Sequence, residues 1–374
     1  MGFQWDILLL EAGFLAIFFA PLTILPKLAK EALPSPLVLW LFHWLLFRLM
    51  FSSGIVKLLS GDATWQNLTA LNYHYETQPL PNFISWYMYQ LPAWFQKASI
   101  VFMFATELIV PFLIFAPRRF RFIGGIILII FQILIILTGN YCFFNLLTIA
   151  LCILLFDDEV ILKLLPVEMF RWDVSIANKC KLWSKWIITL ITGLILILSG
   201  SQMLMMLGVQ DNLLIPVIKL YRNLSPFHIV NGYGLFAVMT TERPEIVIEG
   251  SNDGKKWLAY EFKCKPGNVK KRPAFVAPHQ PRLDWQMWFA ALSNYQTNSW
   301  FVNFCVRLLQ GSDDVLSLIK KNPFVNSPPK YIRALVYNYN FTDFATKNIK
   351  HTWWKRKFKG FYCPVLSLST DQIE

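Results

Sequence analysis

The sequence predicts a polytopic α-helical membrane bundle of about six spans, followed by an extramembrane α+β domain containing a β-sandwich-like sheet. Three observations predict it. The 374 residues are 55% hydrophobic and only 16% charged, with a mean hydropathy of +0.42, outside the balance of soluble globular chains. Apolar runs near the ~20 residues that cross a bilayer fill the first half of the chain. From residue 242 onward the pattern changes to strand alternation, turns and charge.

Candidate spans fall at Trp5 to Leu25, Leu37 to Leu59, Ala98 to Phe115, Phe122 to Thr138, Tyr141 to Phe156 and Trp186 to Leu207. The first lacks a basic flank and a small-residue cleavage site and contains Glu11, so it reads as a retained helix and not a secretory signal. Lys and Arg collect on cytoplasmic loops. Arg118, Arg119 and Arg121 mark one such loop, and Lys163, Arg171, Lys179, Lys181 and Lys185 another, while the Gly139-Asn140 turn between them is uncharged. This puts residues 60–96, everything after Leu207 and the N-terminus on the exoplasmic side, with Lys27 and Lys30 in the cytoplasm. That topology accounts for the net charge of +12, and with no nucleic-acid motif beside it a nucleic-acid partner is not expected.

The expected organisation is a transmembrane domain over 1–220 with an aromatic exoplasmic loop at 60–96, an interfacial connector at 221–241 and an exoplasmic α+β domain at 242–374. In the loop, Trp65, Tyr73, Tyr75, Trp86, Tyr87, Tyr89 and Trp94 suit the headgroup region, so it is expected to lie as a lid on the bundle. Asn231, Gly232 and Gly234 interrupt the connector's apolar run. The domain opens with an alternating strand from Glu245 to Glu249 and a Gly250-Ser251-Asn252-Asp253-Gly254 turn. A returning strand follows, with Leu258, Tyr260, Phe262 and Cys264 on one face. A later strand, Tyr331 to Phe341, alternates likewise. Between them three helices are expected. One is capped by Asp284 and runs through Trp285, Trp288 and Phe289, one covers Asn298 to Leu309, and one covers Ser312 to Lys321 and stops at Asn322-Pro323. The basic run Lys355 to Lys359, beside Trp353 and Trp354, is either a solvated face or a contact with anionic lipid.

Six cysteines show no CxxC pair and no zinc-like spacing, so neither a metal nor a cofactor is expected. Cys264, Cys305 and Cys363 fall in the exoplasmic domain, where a disulfide, or a pairing with Cys142, is open. Ionisable residues inside spans are costly and mark candidate sites; here they are Glu11, His43, Arg48, Lys57 and Glu107. At about 100° per residue, His43, Met50, Gly54 and Lys57 share one stripe, and Arg48 faces away from Lys57. Lys57 is a candidate base, since burial disfavours an ammonium, or else it snorkels or pairs with a carboxylate such as Glu107. His74 and Glu76, near that helix end in sequence, are a candidate acid and base or part of a hydrogen-bonded loop. No nucleophile elbow, P-loop or dinucleotide fingerprint occurs. Sequons at Asn67, Asn223 and Asn340 all fall on the expected exoplasmic side and would accept glycan in an endoplasmic reticulum.

Five phrases carry a resemblance: RLMFSSGIVKLLSGDATWQNLTALNYHYETQPLPN, GNYCFFNLLTIALCILLFDD, SPFHIVNGYGLFAVMTTERPEIVIEGSNDGKKW, FVAPHQPRLDWQMWFAAL and PPKYIRALVYNYNFTDF. In this order, and over essentially the whole chain, they resemble the lipase maturation factor family. The resemblance implies a polytopic membrane protein of the endoplasmic reticulum, or its counterpart in a bacterial inner membrane. It further implies a chaperone whose exoplasmic C-terminal domain helps dimeric lipases such as lipoprotein lipase to fold and assemble. Family members usually carry a leading helix and exoplasmic loop before the phrase here written QWDILLLEAGFLAIFFAP, so by this resemblance the chain reads as either a shortened member or a truncated gene product, in agreement with an N-terminus outside. A second, more distant similarity links Ser53 to Leu58, with the downstream Trp65, to the helix of vitamin K-dependent γ-carboxylases and related horizontally transferred transmembrane (HTTM-like) domains. By that match Lys57 stands where the carboxylase has its base.

The expected function is therefore a non-enzymatic folding and assembly factor for secreted lipases, holding its client through exposed aromatic surface such as Trp285, Trp288 and Trp300, each of which is otherwise a core residue of the domain. The alternative is a membrane enzyme using Lys57 as base on a lipid- or quinone-like substrate, with His43, His74 and Glu76 as further candidates. The expected partners are membrane lipid and a client lipase.

Overall fold

The computed structural model describes residues 3–20, 34–164, 185–209 and 215–368, so Lys27, Lys30, Arg171, Lys179, Cys180 and Lys181 lie outside the described residues. Two compact units make up the chain. The first comprises Met1–Leu68, Ala98–Leu134 and Phe144–Val238, and the second Thr69–Lys97, Ile135–Phe143 and Met239–Glu374.

Apolar segments in lipid must satisfy their backbone groups internally, which favours helices. In chain order these are α1 (Gln4–Phe19), α2 (Pro36–Leu59), α3 (Ala63–Gln66), α4 (Leu71–Thr77), α5 (Phe83–Tyr89) and α6 (Ala93–Leu108), the last continued by a 3-10 stretch, Val110–Phe115. Next come α7 (Arg118–Thr138), α8 (Phe144–Ile153), α9 (Asp158–Leu164), α10 (Lys185–Met206) and α11 (Ile215–Leu224). Among the described residues four helices are long and apolar enough to cross a membrane: Pro36–Leu59, Ala93–Phe115, Arg118–Thr138 and Lys185–Met206. Of the six expected spans, the first is represented by the 16 residues of α1, with 21–25 outside the described residues. The fifth is represented by the 10 residues of α8, which starts just after Cys142, a residue with a left-handed φ of 49°.

In the first unit α2 is the hub, packing against α1, α8, α10 and the 3-10 stretch after α6. Its Gly54 is required by close approach, since a Cβ there would lie 2.8 Å from Leu108 of α6. On α7 the buried residues Gly124, Gly125, Leu128, Phe131 and Gln132 form one helical stripe, while Ile126, Ile130, Ile133 and Leu137 are exposed, as a lipid-facing surface would be. At the start of α7, Arg118 pairs with Asp157 at 2.5 Å and Glu159 at 2.6 Å, just beyond α8.

The second unit adds β1 (Pro244–Ser251), β2 (Leu258–Ala259), β3 (Glu261–Phe262), α12 (Arg282–Ala291) and α13 (Ser299–Leu309). After them come α14 (Asp313–Leu316), β4 (Ile319–Lys321), β5 (Tyr331–Phe341), α15 (Phe344–Lys350) and β6 (Trp354–Leu366). An antiparallel sheet has the order β2-β1-β5-β6, and β3 pairs with β4 in a separate two-stranded sheet. Ile246, Ile248, Ile332 and Ala334 point one way from the large sheet and are covered by Met287 of α12 and Phe301, Phe304 and Leu308 of α13. On β5 the opposite parity supplies Tyr339 and Phe341, which pack with Trp354, Tyr75 and Trp86. Phe262 of β3 and Ile319 of β4, from the two-stranded sheet, join the same core.

Several local expectations change. Pro281, not Asp284, occupies the N-cap of α12, and Asp284 Oδ1 instead accepts the backbone N–H groups of Cys264 at 2.8 Å and Lys265 at 2.7 Å. The expected helix over Ser312 to Lys321 is helical only through Leu316; Ile319–Lys321 becomes β4 because β3 offers it an antiparallel partner. The returning strand breaks at Tyr260 into β2 and β3. Cys142, Cys264, Cys305 and Cys363 form none of the disulfides left open above among the described residues. From Thr69 onward the aromatic loop belongs to the second unit and not with the helical bundle.

Candidate functional site

Within the first unit the ionisable residues of the spans are paired. Gly54 brings α2 against α6, and one helical turn further on the Lys57 ammonium donates to both Glu107 carboxylate oxygens, at 2.7 and 3.0 Å, and to Ser53 O at 2.8 Å. Both side chains are buried, and the Trp65 ring lies 5.6 Å from the ammonium. Three acceptor oxygens thus lie within hydrogen-bond distance of the ammonium. On the other side of α2, Arg48 pairs with Glu11 of α1 and donates to Asn231 O at 3.1 Å. Glu11 Oε2 also accepts from the Asn231 backbone and the Tyr233 hydroxyl, each at 2.9 Å. The connector is thereby tied into the bundle through the Asn231 that interrupts its apolar run. His43 is buried, with Nε2 3.0 Å from Leu154 O. The stripe of His43, Met50, Gly54 and Lys57 is buried throughout, and Met50 Sδ accepts from Gln132 at 3.7 Å.

In the second unit a different charged group is enclosed. Arg243, Glu245 and Lys265 have side chains no more than 3% exposed, with Arg243–Glu245 at 2.7 Å and Lys265–Glu245 at 2.9 Å. The same guanidinium donates to the carbonyls of Glu76, Gln78 and Pro79, at the C-terminal end of α4 where helix carbonyls lack partners. Burial draws the Arg243 guanidinium below its usual range, opposed chiefly by the Glu245 carboxylate. Sequence reading passed over these residues: Glu245 and Glu249 alternate with Ile246 and Ile248, the signature of a solvated strand face. The one available signal was a charge flanking a strand start, which is too common to be diagnostic.

His74 and Glu76 lie on α4 in the second unit, whereas Lys57 and His43 belong to the first. Glu76 accepts the Phe341 amide at 2.8 Å and Asn340 Nδ2 at 3.1 Å. Burial pushes its carboxyl above the ordinary value, against those two hydrogen bonds and the nearby Arg243 and Lys355. His74 Nε2 lies 2.9 Å from the Tyr141 hydroxyl, which donates to Gln78 Oε1 at 2.8 Å. Asn140 joins the same region. Its Nδ2 donates to Leu80 O and Ala274 O, and its Oδ1 accepts from the amides of Val276 and Ala277. Among the described residues no group of three His, Cys, Asp or Glu side chains is arranged to hold a metal.

Trp285 and Trp288 are buried, and Trp288 Nε1 donates to Thr77 O at 3.0 Å; Trp300 is half-buried against the α12–α13 core. The open surface lies elsewhere. A cleft of about 650 Å³ is lined by Met239, Glu242, Leu292, Val336, Gly360 and Phe361, with Phe361 64% and Leu292 42% exposed. Its edge is β6, the last strand of the sheet, along which Lys355, Lys357 and Lys359 are exposed. Of the sequons, Asn67 and Asn223 are exposed, while the Asn340 side chain is half-buried and bonded to Glu76.

Four membrane-length helices, ion pairs buried among them, and a separately cored sheet region define a polytopic integral membrane protein with a folded α+β C-terminal domain. Residues 1–163 match the family model described as the lipase maturation factor transmembrane domain, and residues 229–364 that of the lipase maturation factor C-terminal domain. Lipase maturation factor 2 of Gallus gallus is 37% identical, covering 100% of this chain and 66% of its own length. Lipase maturation factor 1 of Mus musculus and of Homo sapiens are each 36% identical, covering 98% of this chain and 67% of their own. The chain belongs to the lipase maturation factor family. It spans about two thirds of the length of the curated relatives it matches. No solved structure matches it.

Proposed function

We propose that the chain promotes maturation of a secreted lipase at a membrane, with the first unit as anchor and the second receiving the client. Family membership across both halves supports the lipase reading. The observation that carries the client surface is the cleft beside Phe361, bordered by an edge strand that can pair with an extended segment. Support for placing the second unit on the exoplasmic side comes from its composition. Residues 69–97, 135–143 and 239–374, which loop charges assign to one side, form one compact unit. Six crossings follow if α1 and α8 are included, and the pairing of Arg118 with Asp157 supports a returning α8. The membrane is that of the endoplasmic reticulum in a eukaryote and the inner membrane in a bacterium. Lys57, buried against the Glu107 carboxylate, serves this reading as half of a structural pair and not as a base.

The test is the double variant Phe361→Ser with Leu292→Ser, expressed with a client lipase in cells lacking their own maturation factor. Exposed substitutions alter stability by less than about 0.5 kcal/mol, so the variant is expected at normal abundance. Secreted active lipase should fall; undiminished secretion would remove the cleft from the proposal.

A further inference from the structure

A second surface lies at the opposite end of β5 from the loop that holds Val325. α15 follows β5 directly, and its start is fixed: Asp343 Oδ1 accepts the Thr346 amide at 2.6 Å, and Gln90 Nε2 donates to Thr342 O at 3.0 Å. Gln90 stands three residues before Ala93, the first residue of α6, so at most about 11 Å of chain separates them. The membrane-crossing segment Ala93–Phe115 has 23 residues. At about 1.5 Å per residue it is at least about 34 Å long, slightly more than the ~30 Å hydrocarbon core, which leaves its first turn in the headgroup zone. The contacts that hold α15 therefore belong to residues immediately outside the bilayer.

The chemistry of the surface suits that level. Phe344 is 50%, Ile349 77%, Tyr87 44% and Trp94 70% exposed, an unusual concentration of apolar side chains for a water-facing domain. Lys347 lies among the aromatic rings, its ammonium 4.4 Å from the centroid of Trp86, 5.0 Å from Tyr87 and 4.0 Å from Trp353. Phe344 meets the Trp86 ring edge-on at 5.0 Å. Lys350 is exposed one turn further on. Aromatic rings interleaved with lysines are what the interfacial layer favours: rings at headgroup depth, ammonium groups toward phosphate.

We propose that α15, with Tyr87 and Trp94, forms an interfacial anchor that lowers Phe344 and Ile349 into the same bilayer that α6 enters and sets Lys347 and Lys350 against its lipid phosphates. The occupant is lipid and not client: the patch is continuous with a membrane entry point, and its apolar groups share α15 with Lys347 and Lys350. This does not depend on the lipase reading, and its failure would leave the cleft untouched.

Purified full-length protein carrying p-benzoyl-phenylalanine in place of Ile349, or separately of Phe344, is reconstituted in nanodiscs of phosphatidylcholine with and without phosphatidylserine and irradiated. A third preparation carries the probe in place of Val325, which is 84% exposed near the far end of β5, about 33 Å of strand away. Phospholipid adducts should form at 349 and 344 several-fold more often than at 325. In discs containing phosphatidylserine, Lys347→Glu with Lys350→Glu should lower that yield. Equal yields at the three positions overturn the proposal, as do adducts at 344 and 349 to protein alone. Using two probe positions keeps the outcome decisive if one variant folds poorly.

Discussion

The two units bury charge in different ways. In the first, charges sit in separate pairs on opposite sides of one helix, Lys57 with Glu107 and Arg48 with Glu11. Between helices in lipid there is no hydrophobic drive toward a particular neighbour, so each pair selects which face of α2 meets which partner. In the second unit a hydrophobic core already exists, yet Arg243, Glu245 and Lys265 form one connected, buried group beside it. That group joins stretches distant in sequence, carrying the sheet start at Arg243 to the end of α4 near Glu76. Pairs in the bundle specify orientation, whereas the network in the domain specifies which segments belong to it.

The comparison breaks most visibly at Arg243. Arg243→Met strips three carbonyls and Glu245 of a buried partner and should cost about 3–5 kcal/mol, read as protease sensitivity of residues 239–368 in purified protein. Wild-type resistance would show that the network is dispensable. In the bundle, Lys57→Ala leaves Glu107 alone and should cost about 3 kcal/mol, seen as lost abundance, but Lys57→Met with Glu107→Leu should recover it. An abundant double variant that no longer supports lipase secretion would instead return Lys57 to chemistry. Trp288→Phe removes the hydrogen bond to Thr77 O and should cost about 1–2 kcal/mol, checked by thermal unfolding.

The smallest effect is a pH slope at Glu76. Burial raises its native proton affinity above that of the unfolded chain, so its contribution to stability is largest below the ordinary value of 4.5 and declines as pH rises through the elevated native one. Glu76→Gln should flatten that decline in melting temperature; an unchanged slope would assign the dependence to other groups.

How far these features were legible depended on whether they were local. The strand Tyr331–Phe341 was readable to the residue, because alternation over 11 positions is a period-2 signal that little else produces. Glu107 was nameable as a partner for Lys57 because carboxylates inside spans are so few. Trp285 and Trp288 stand between client surface and core in the sequence, since an amphipathic helix does not announce which of its aromatic faces the sheet will cover; both are buried. The helix expected at Ser312 to Lys321 failed because three residues found a strand partner some sixty positions earlier, at Glu261 and Phe262. Arg243 stayed hidden for the same reason, as its partners lie in a loop between two membrane helices.

That dispersed construction bears on the order in which the protein is made. Asn140 waits for Ala274, Val276 and Ala277, and the end of α4 waits for Arg243, which leave the ribosome more than a hundred residues later. β5 then waits for β6, near the end of the described chain. The early loops must therefore remain incomplete while the remaining membrane-length helices are made. A chain arrested before Trp354 would present membrane-length helices joined to a second unit whose sheet had never closed.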